Sequence, residues 1–324
     1  MISIVVPCYN SQNSLLELTT RIQNVFEVLN REYEVILVND CSRDKTSKEI
    51  KKIAKINSNV IGVDLMFNVG QFMATFCGLE QCKGDLVITI DDDLQHPPEE
   101  IPKLVKAIED DEDCDVVIAS FSEKKHHKFR NLGSAMVHKI NKVVFKKPDD
   151  LTFTGFRIMR KVVAETLVEH RTMYPLMGPM ILMVTRNVKN ILTKHDPRKY
   201  GRSTYSTLKL IKVTFNHILN FSTLPLKFIS VCGLVVFMFS VLLGSFYFVR
   251  YLLGGINVQG WMTNVLLINL YGGLILFTLG IMGQYIIRIM YEVKKFPRFK
   301  IRAIYQRMNE KHEEKETNYS WRAG

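Results

Sequence analysis

The chain has 324 residues, 47% of them hydrophobic and 23% charged, with a formal net charge of +11 and a pI near 9.3. That length holds one or two domains with a core. The six cysteines (Cys8, Cys41, Cys77, Cys82, Cys114, Cys232) form no Cys-x-x-Cys pair, which excludes a zinc-finger or disulfide pattern and leaves them as reduced structural residues. A basic balance suits anionic lipid, phosphorylated substrates or nucleic acid, and no nucleic-acid-binding motif accompanies it.

The N-terminal region alternates strand and helix patterns. Residues 2–6 read as a buried strand, too short for a signal peptide and closed by Pro7 and Asn10. Leu15, Leu18, Ile22, Val25, Phe26 and Leu29 recur at helical spacing. Strands follow at 34–38, 60–65, 86–90 and 115–119, with helices at 46–54 and 70–79. A further helix starts at Pro97-Pro98-Glu99-Glu100, where proline suits the first turn and acids suit its positive end. This order predicts an α/β fold, a Rossmann-like, mainly parallel sheet with flanking helices. Ligands bind at the carboxyl ends of strands in such sheets. Asn10, Asp40 and the trio Asp91, Asp92 and Asp93 all fall at such ends, so three loops are expected to share one crevice.

Further on, residues 228–249 and 256–287 carry no charge. Each is long enough to cross ~30 Å of hydrocarbon, and neither has the polar face of a soluble helix. They predict a two-helix transmembrane hairpin with a turn near Gly254-Gly255. Lys209, Lys212 and Lys227 before it, and Arg288, Lys294, Lys295, Arg298, Lys300 and Arg302 after it, put both flanks in the cytosol. Two stretches, 135–147 and 208–218, mix apolar residues with Lys and His and read as interfacial amphipathic helices. The expected organisation is therefore a cytosolic catalytic domain over 1–205, a juxtamembrane amphipathic helix over 206–226, two transmembrane helices over 227–290 and a basic cytosolic tail over 291–324. The tail is charged from Glu310 onward.

The acidic trio closes an almost wholly apolar strand, Leu86-Val87-Ile88-Thr89-Ile90, which aims it into the crevice. Alternate residues of extended chain share a face, so Asp91 and Asp93 can reach one ligand. Two carboxylates with the amide oxygen of Gln95 suit a hard divalent cation, Mg²⁺ or Mn²⁺. Such an ion commonly neutralises a diphosphate leaving group. His96, His126, His127 and His195 have no mutual metal spacing and read as polar surface or loop residues, His96 being placed to line a donor site.

These motifs resemble the family 2 glycosyltransferases of GT-A fold, in their polyprenyl-phosphate branch: dolichyl-phosphate mannose synthases, bactoprenol glucosyl transferases and undecaprenyl-phosphate aminoarabinose transferases. The likeness covers nearly the whole chain. It rests on Val5-Val6-Pro7-Cys8-Tyr9-Asn10, Val38-Asn39-Asp40-Cys41-Ser42, Asn68-Val69-Gly70-Gln71, Asp91-x-Asp93-Leu94-Gln95 with Pro97-Pro98, Gly155-Phe156-Arg157 with Arg160, and residues 195–205. Ser11, Asn39, Cys41 and Thr204 depart from the family pattern.

The resemblance implies inverting transfer of a sugar from a UDP- or GDP-linked donor to polyprenyl phosphate at the inner membrane, by a homo-oligomer. It implies a donor site of Pro7, Tyr9, Asn10, Asp40, Asn68, Gly70, Gln71 and Asp92, and a metal site of Asp91, Asp93 and Gln95. Asp150 joins Asp91 and Asp93 as a catalytic candidate. Arg130, Ser134, Arg157, Arg160, Arg198, Arg202 and Ser203 are candidates for the acceptor phosphate, arginine being able to bind phosphate bidentately. Two alternatives differ in product. A processive polysaccharide synthase would carry Gln-x-x-Arg-Trp, a motif in which neither Trp261 nor Trp321 sits. A catalytically silent scaffold would have no need of Asp91-x-Asp93.

Overall fold

The computed structural model describes residues 1–121, 151–170, 176–197, 199, 260–293 and 297–307, and scattered positions between 231 and 253. Alternating strands and helices open the chain: β1 (Ile2–Cys8), α1 (Leu15–Leu29), β2 (Tyr33–Asn39), α2 (Thr46–Ile56), β3 (Val60–Leu65), α3 (Gln71–Leu79) and β4 (Leu86–Thr89). A short 3₁₀ turn (Pro98–Glu100) leads into α4 (Ile101–Glu109), followed by β5 (Val116–Ser120). After Leu151 come β6 (Arg157–Arg160), α5 (Lys161–Glu169), α6 (Met177–Val184) and β7 (Val188–Leu192). A 33-residue helix, α7 (Trp261–Val293), precedes the last strand, β8 (Ile301–Tyr305).

The eight strands form one sheet in the order β7-β5-β6-β4-β1-β2-β3-β8. The central strands pair in parallel, β1 with β2 and β4, and β2 with β3. β6 runs antiparallel to both β4 and β5, while β7 is parallel to β5. The core follows from the strand period of two. Ile2, Ile4, Val6 and Cys8 of β1 pack towards α1, α2 and α4. Val5 joins Ile36, Val38, Val63 and Phe76 on the other face, under α3, α5 and α6. A parallel sheet covered on both faces explains why these strands read as continuous apolar runs.

β8 lies inside the stretch expected to be a basic tail. It completes the sheet antiparallel to β3, Ile301 opposite Leu65 and Tyr305 opposite Gly62. Arg298 fixes the approach to this strand. Its guanidinium donates to the carbonyls of His170 and Val168 and to Glu80 Oε1, and lies 5.8 Å from the Phe76 ring centre. The five residues alternate between half-buried and exposed, as an edge strand over α2 requires.

Among the described residues, α7 contains one segment long and apolar enough to cross a membrane, Leu270–Ile287. Its Ile275, Phe277, Leu279, Met282 and Ile286 are exposed. The described positions from 231 to 252 are helical and also present exposed apolar side chains, among them Val235, Phe239, Leu242 and Phe246. The amphipathic stretches at 135–147 and 208–218 lie outside the described residues.

Candidate active site

The crevice lies at the carboxyl ends of β1, β2, β3 and β4, where the chain leaves each strand through a tight turn. Asn10, Cys41 and Leu94 take positive φ values of 56°, 52° and 61°, and Gly70 takes 87°. Non-glycine residues with positive φ are uncommon and gather at functional loops. Pro7 lies past Val5↔Thr89, the last β1–β4 pair, so its missing N–H leaves no ladder bond unmade.

Side chains then tie the loops together. The Asp92 carboxylate accepts the Tyr9 backbone N–H at 3.1 Å and the Ser11 hydroxyl. Burial, with Asp91 and Asp93 beside it, pushes Asp92 up to about 6 despite those two donors. Asn10 accepts from the Arg43 N–H at 2.9 Å, and its own N–H donates to Ser42 Oγ. Asp40 is buried and accepts from the Val69 and Gly70 N–H groups at 2.6 and 2.8 Å and from Asn68 Nδ2 at 2.9 Å. Burial raises the Asp40 pKa, and the two backbone donors hold part of that rise back. Gln71 donates through Nε2 to Asp91 Oδ1 at 2.7 Å. Asn10, Asp40, Asn68, Gly70, Gln71 and Asp92 therefore meet as one hydrogen-bonded frame, while Tyr9 is exposed at its mouth.

Asp91 and Asp93 are half-buried at the rim. Asp93 Oδ1 accepts the Gln95 N–H at 3.1 Å, and the Gln95 carbonyl accepts the Asp196 N–H at 3.0 Å. Among the described residues no three His, Cys, Asp or Glu side chains converge as a ready-made metal cluster. Two rim carboxylates still fit a hard divalent cation of the Mg²⁺ type, which characteristically takes one or two carboxylates and completes its shell with substrate phosphates and water.

A cavity of about 340 Å³ opens beside Asp91, lined by Pro7, Gln71, Phe72, Thr75, Phe153 and Arg157 among others. β6 places Arg157 here by pairing it with Thr89, the last residue of β4. Gly155, two residues earlier, packs against the Asp91 carboxylate so closely that a Cβ would lie 2.5 Å from Oδ2. Arg157 is 6% exposed, and burial lowers its pKa to about 10 although Asp91 favours the charged form.

One sequence candidate lies elsewhere. Arg160 pairs with Leu86 at the opposite end of β4, and its guanidinium donates to the carbonyls of Ile108, Asp111, Glu112 and Cys114. It closes the end of α4 and does not reach the crevice. His96, read as a surface or loop residue placed to line a donor site, is buried with Nε2 3.7 Å from Asp91 Oδ2, stacked at 5.2 Å on Phe121 and 5.5 Å from Phe156. His195 meets it edge-on at 5.8 Å, and burial, with His96 beside it, lowers the His195 pKa. The pair is separated by 99 positions, so no local spacing could have shown it. Asp150, Arg130, Ser134, Arg198, Arg202 and Ser203 lie outside the described residues.

The model of glycosyl transferase family 2 matches residues 3–168, and the chain belongs to that family. It is a glycosyltransferase with a GT-A-like fold. It is 32% identical over 95% of its length to an undecaprenyl-phosphate 4-deoxy-4-formamido-L-arabinose transferase of Pseudomonas savastanoi pv. phaseolicola, covering 92% of that protein. The enzyme of the same description from Proteus mirabilis is 34% identical, over 94% of this chain and 93% of the relative. Among solved structures, a glucosyl-3-phosphoglycerate synthase from Mycobacterium tuberculosis with Mn²⁺, UDP-glucose and phosphoglyceric acid aligns with a TM-score of 0.50. That alignment has 17% identity and covers 68% of this chain and 77% of the synthase, a likeness of fold.

Proposed function

We propose that the protein transfers a sugar of the 4-deoxy-4-formamido-L-arabinose type from a nucleoside diphosphate donor to undecaprenyl phosphate, with inversion, on the cytosolic side of the inner membrane. The likeness to transferases of that description supports the sugar and the lipid, and the direction of β8 is the structural observation that supports a crevice facing the membrane. Because β8 is antiparallel to β3 and begins opposite Leu65, the chain coming from α7 rejoins the sheet at its carboxyl, crevice-bearing end. Seven residues, 294–300, separate α7 from β8, a span of at most ~25 Å. If α7 crosses the bilayer, the crevice faces it at short range. A strand that returns to the same sheet also requires an even number of crossings, which supports the second apolar stretch as the other arm of a hairpin.

The chemistry asks little of a general base. A polyprenyl monophosphate has a second pKa of ~6 and is already an anionic nucleophile at neutral pH. The protein's tasks are positioning and charge neutralisation. The Asp40-centred loop frame and Tyr9 would hold the nucleotide. Asp91, Asp93 and Gln95 would hold Mg²⁺ or Mn²⁺, which supplies charge neutralisation for the departing diphosphate. Arg130, Ser134, Arg198, Arg202 and Ser203 would receive the lipid phosphate, and Asp150 would sit near the reacting groups. A homo-oligomer completes the reading.

The test uses the full-length protein in liposomes with undecaprenyl phosphate, a panel of UDP- and GDP-linked sugars, and Mn²⁺ or Mg²⁺. The expected product is a single sugar on the lipid phosphate, identified by mass spectrometry. Asp93→Ala should abolish it with an unchanged melting curve. A long polymer, or no transfer from any donor, would refute the assignment.

A further inference from the structure

Asp64 of β3 is 5% exposed. Its carboxylate accepts from three elements: Asn39 Nδ2 of β2 at 2.7 Å, Ser47 Oγ of α2 at 2.6 Å and the Tyr305 hydroxyl of β8 at 3.2 Å. A buried carboxylate is costly unless it is hydrogen-bonded, so Asp64 holds its three donors in place. Burial, with Asp64 beside it, raises the Tyr305 pKa, which keeps the phenol a donor. Asn39 departs from the family pattern, and Asp64 gives the reason. An amide donates on one side and accepts on the other, whereas a carboxylate in its place would only accept and would face Asp64.

From Asp64 the bonds run to the crevice. Asn39 Oδ1 accepts the Ser42 N–H at 3.2 Å, and Ser42 Oγ accepts the Asn10 N–H at 3.0 Å. Between Asn39 and Ser42, Cys41 takes its positive φ of 52°, a conformation that persists only where the surroundings hold it. β8 reaches the same frame by a second route. The Met66 N–H donates to the Lys300 carbonyl at 2.8 Å, and Arg302 Nη2 donates to the Met66 carbonyl at 3.2 Å. Just beyond Met66, the Asn68 amide and the Val69 and Gly70 N–H groups donate to Asp40. Both loops around Asp40 are therefore backed by the strand that follows α7.

We infer that Tyr305 is a positioning residue for nucleotide binding: through Asp64 and Asn39 it sets the 39–43 loop, and it couples the docking of β8 to binding in the crevice. This rests on the Asp40-centred frame being the nucleotide site, as proposed above. Such coupling is reciprocal, so nucleotide tightens β8 as much as β8 tightens nucleotide.

The test is titration of the full-length protein with UDP and with GDP in the presence of Mn²⁺, and amide exchange at Ile301–Tyr305 with and without the nucleotide that binds. Tyr305→Phe removes the hydroxyl alone and should weaken the nucleotide about 5-fold. Bound nucleotide should slow exchange at Ile301–Tyr305 in the unmodified protein and not in Tyr305→Phe. Ile304→Ala is the control for a role in stability alone. Ile304 is 50% exposed, and as the neighbour of Tyr305 in an extended strand it faces the other way. Its truncation loosens β8 without removing a bond to Asp64, and nucleotide affinity should stay within about twofold. Equal weakening by the two variants would overturn the inference. So would unchanged affinity in Tyr305→Phe, exchange at β8 that is indifferent to nucleotide, or binding of neither nucleotide. Coupled nucleotide binding with no transfer to lipid from any donor would sink the proposed function alone, because the linkage is read without sugar or acceptor.

Discussion

Gly155→Ala offers a sharp perturbation of the crevice that removes no ionisable group. An added Cβ would lie 2.5 and 2.6 Å from the two Asp91 carboxylate oxygens, where ordinary contact begins at 3.4 Å. The shortfall is about 0.9 Å. Backbone strain does not contribute, because Gly155 is not among the positive-φ residues. The backbone is held in place: Thr89 Oγ1 donates to the Gly155 carbonyl at 2.7 Å, so the carboxylate is the part that yields. Moving it also disturbs the 2.7 Å bond from Gln71. A misplacement near 1 Å in a reacting site costs on the order of 100-fold. The assay is transfer to undecaprenyl phosphate across a Mn²⁺ titration, with thermal melting as the control for folding. Turnover is expected to fall about 100-fold with a melting temperature close to that of the unmodified protein. Turnover within threefold would show that Asp91 does not have to occupy its observed position.

Asp40→Ala leaves the Val69 and Gly70 N–H groups unpartnered. It should cost about 2 kcal/mol in denaturant unfolding and weaken nucleotide binding, measured by titration. Arg298→Ala removes three hydrogen bonds that the guanidinium donates at the root of β8 and should cost about 2 kcal/mol, with faster amide exchange at Ile301–Tyr305 than elsewhere in the sheet. For Asp92 the folded pKa lies near 6 against an ordinary 3.8, so the folded state holds its proton more tightly. The associated stability is fully present below pH ~4 and is lost as pH rises through ~6. In metal-free buffer, Asp92→Asn should gain in melting temperature relative to the unmodified protein between pH 4 and 7, and a pH-independent difference would refute the assignment.

Much of the first half was legible because its signals are local. Buried parallel strands read as apolar runs, α1 shows its helical spacing, and Pro97-Pro98 announces the turn into α4. The carboxyl-end rule places Asn10, Asp40 and the acidic trio in one crevice from the strand order alone. β6 was read as a motif and not as a strand, since four residues carry too little periodicity. β7 and β8 were missed for a different reason. β8 finds its partner about 240 positions earlier in the chain, and nothing in Ile301-Arg302-Ala303-Ile304-Tyr305 points to β3. The same limit applies to side chains. Arg157 and Arg160 sit three apart in one motif, yet the antiparallel register of β6 sends one to the crevice and the other to the far end of the sheet. The meeting of Asp40 with Asn68 and Gly70, and of His96 with His195, likewise depends on tertiary folding.

The late position of β8 has a consequence for biogenesis. Until residue 305 leaves the ribosome, β3 is an open sheet edge, with unpaired backbone groups of the kind that recruit foreign strands. Its covering strand is synthesised only after both apolar stretches, so completion of the sheet waits on whatever becomes of them. A chain that stalls before β8 would display that edge to the cell, marking itself for aggregation or removal.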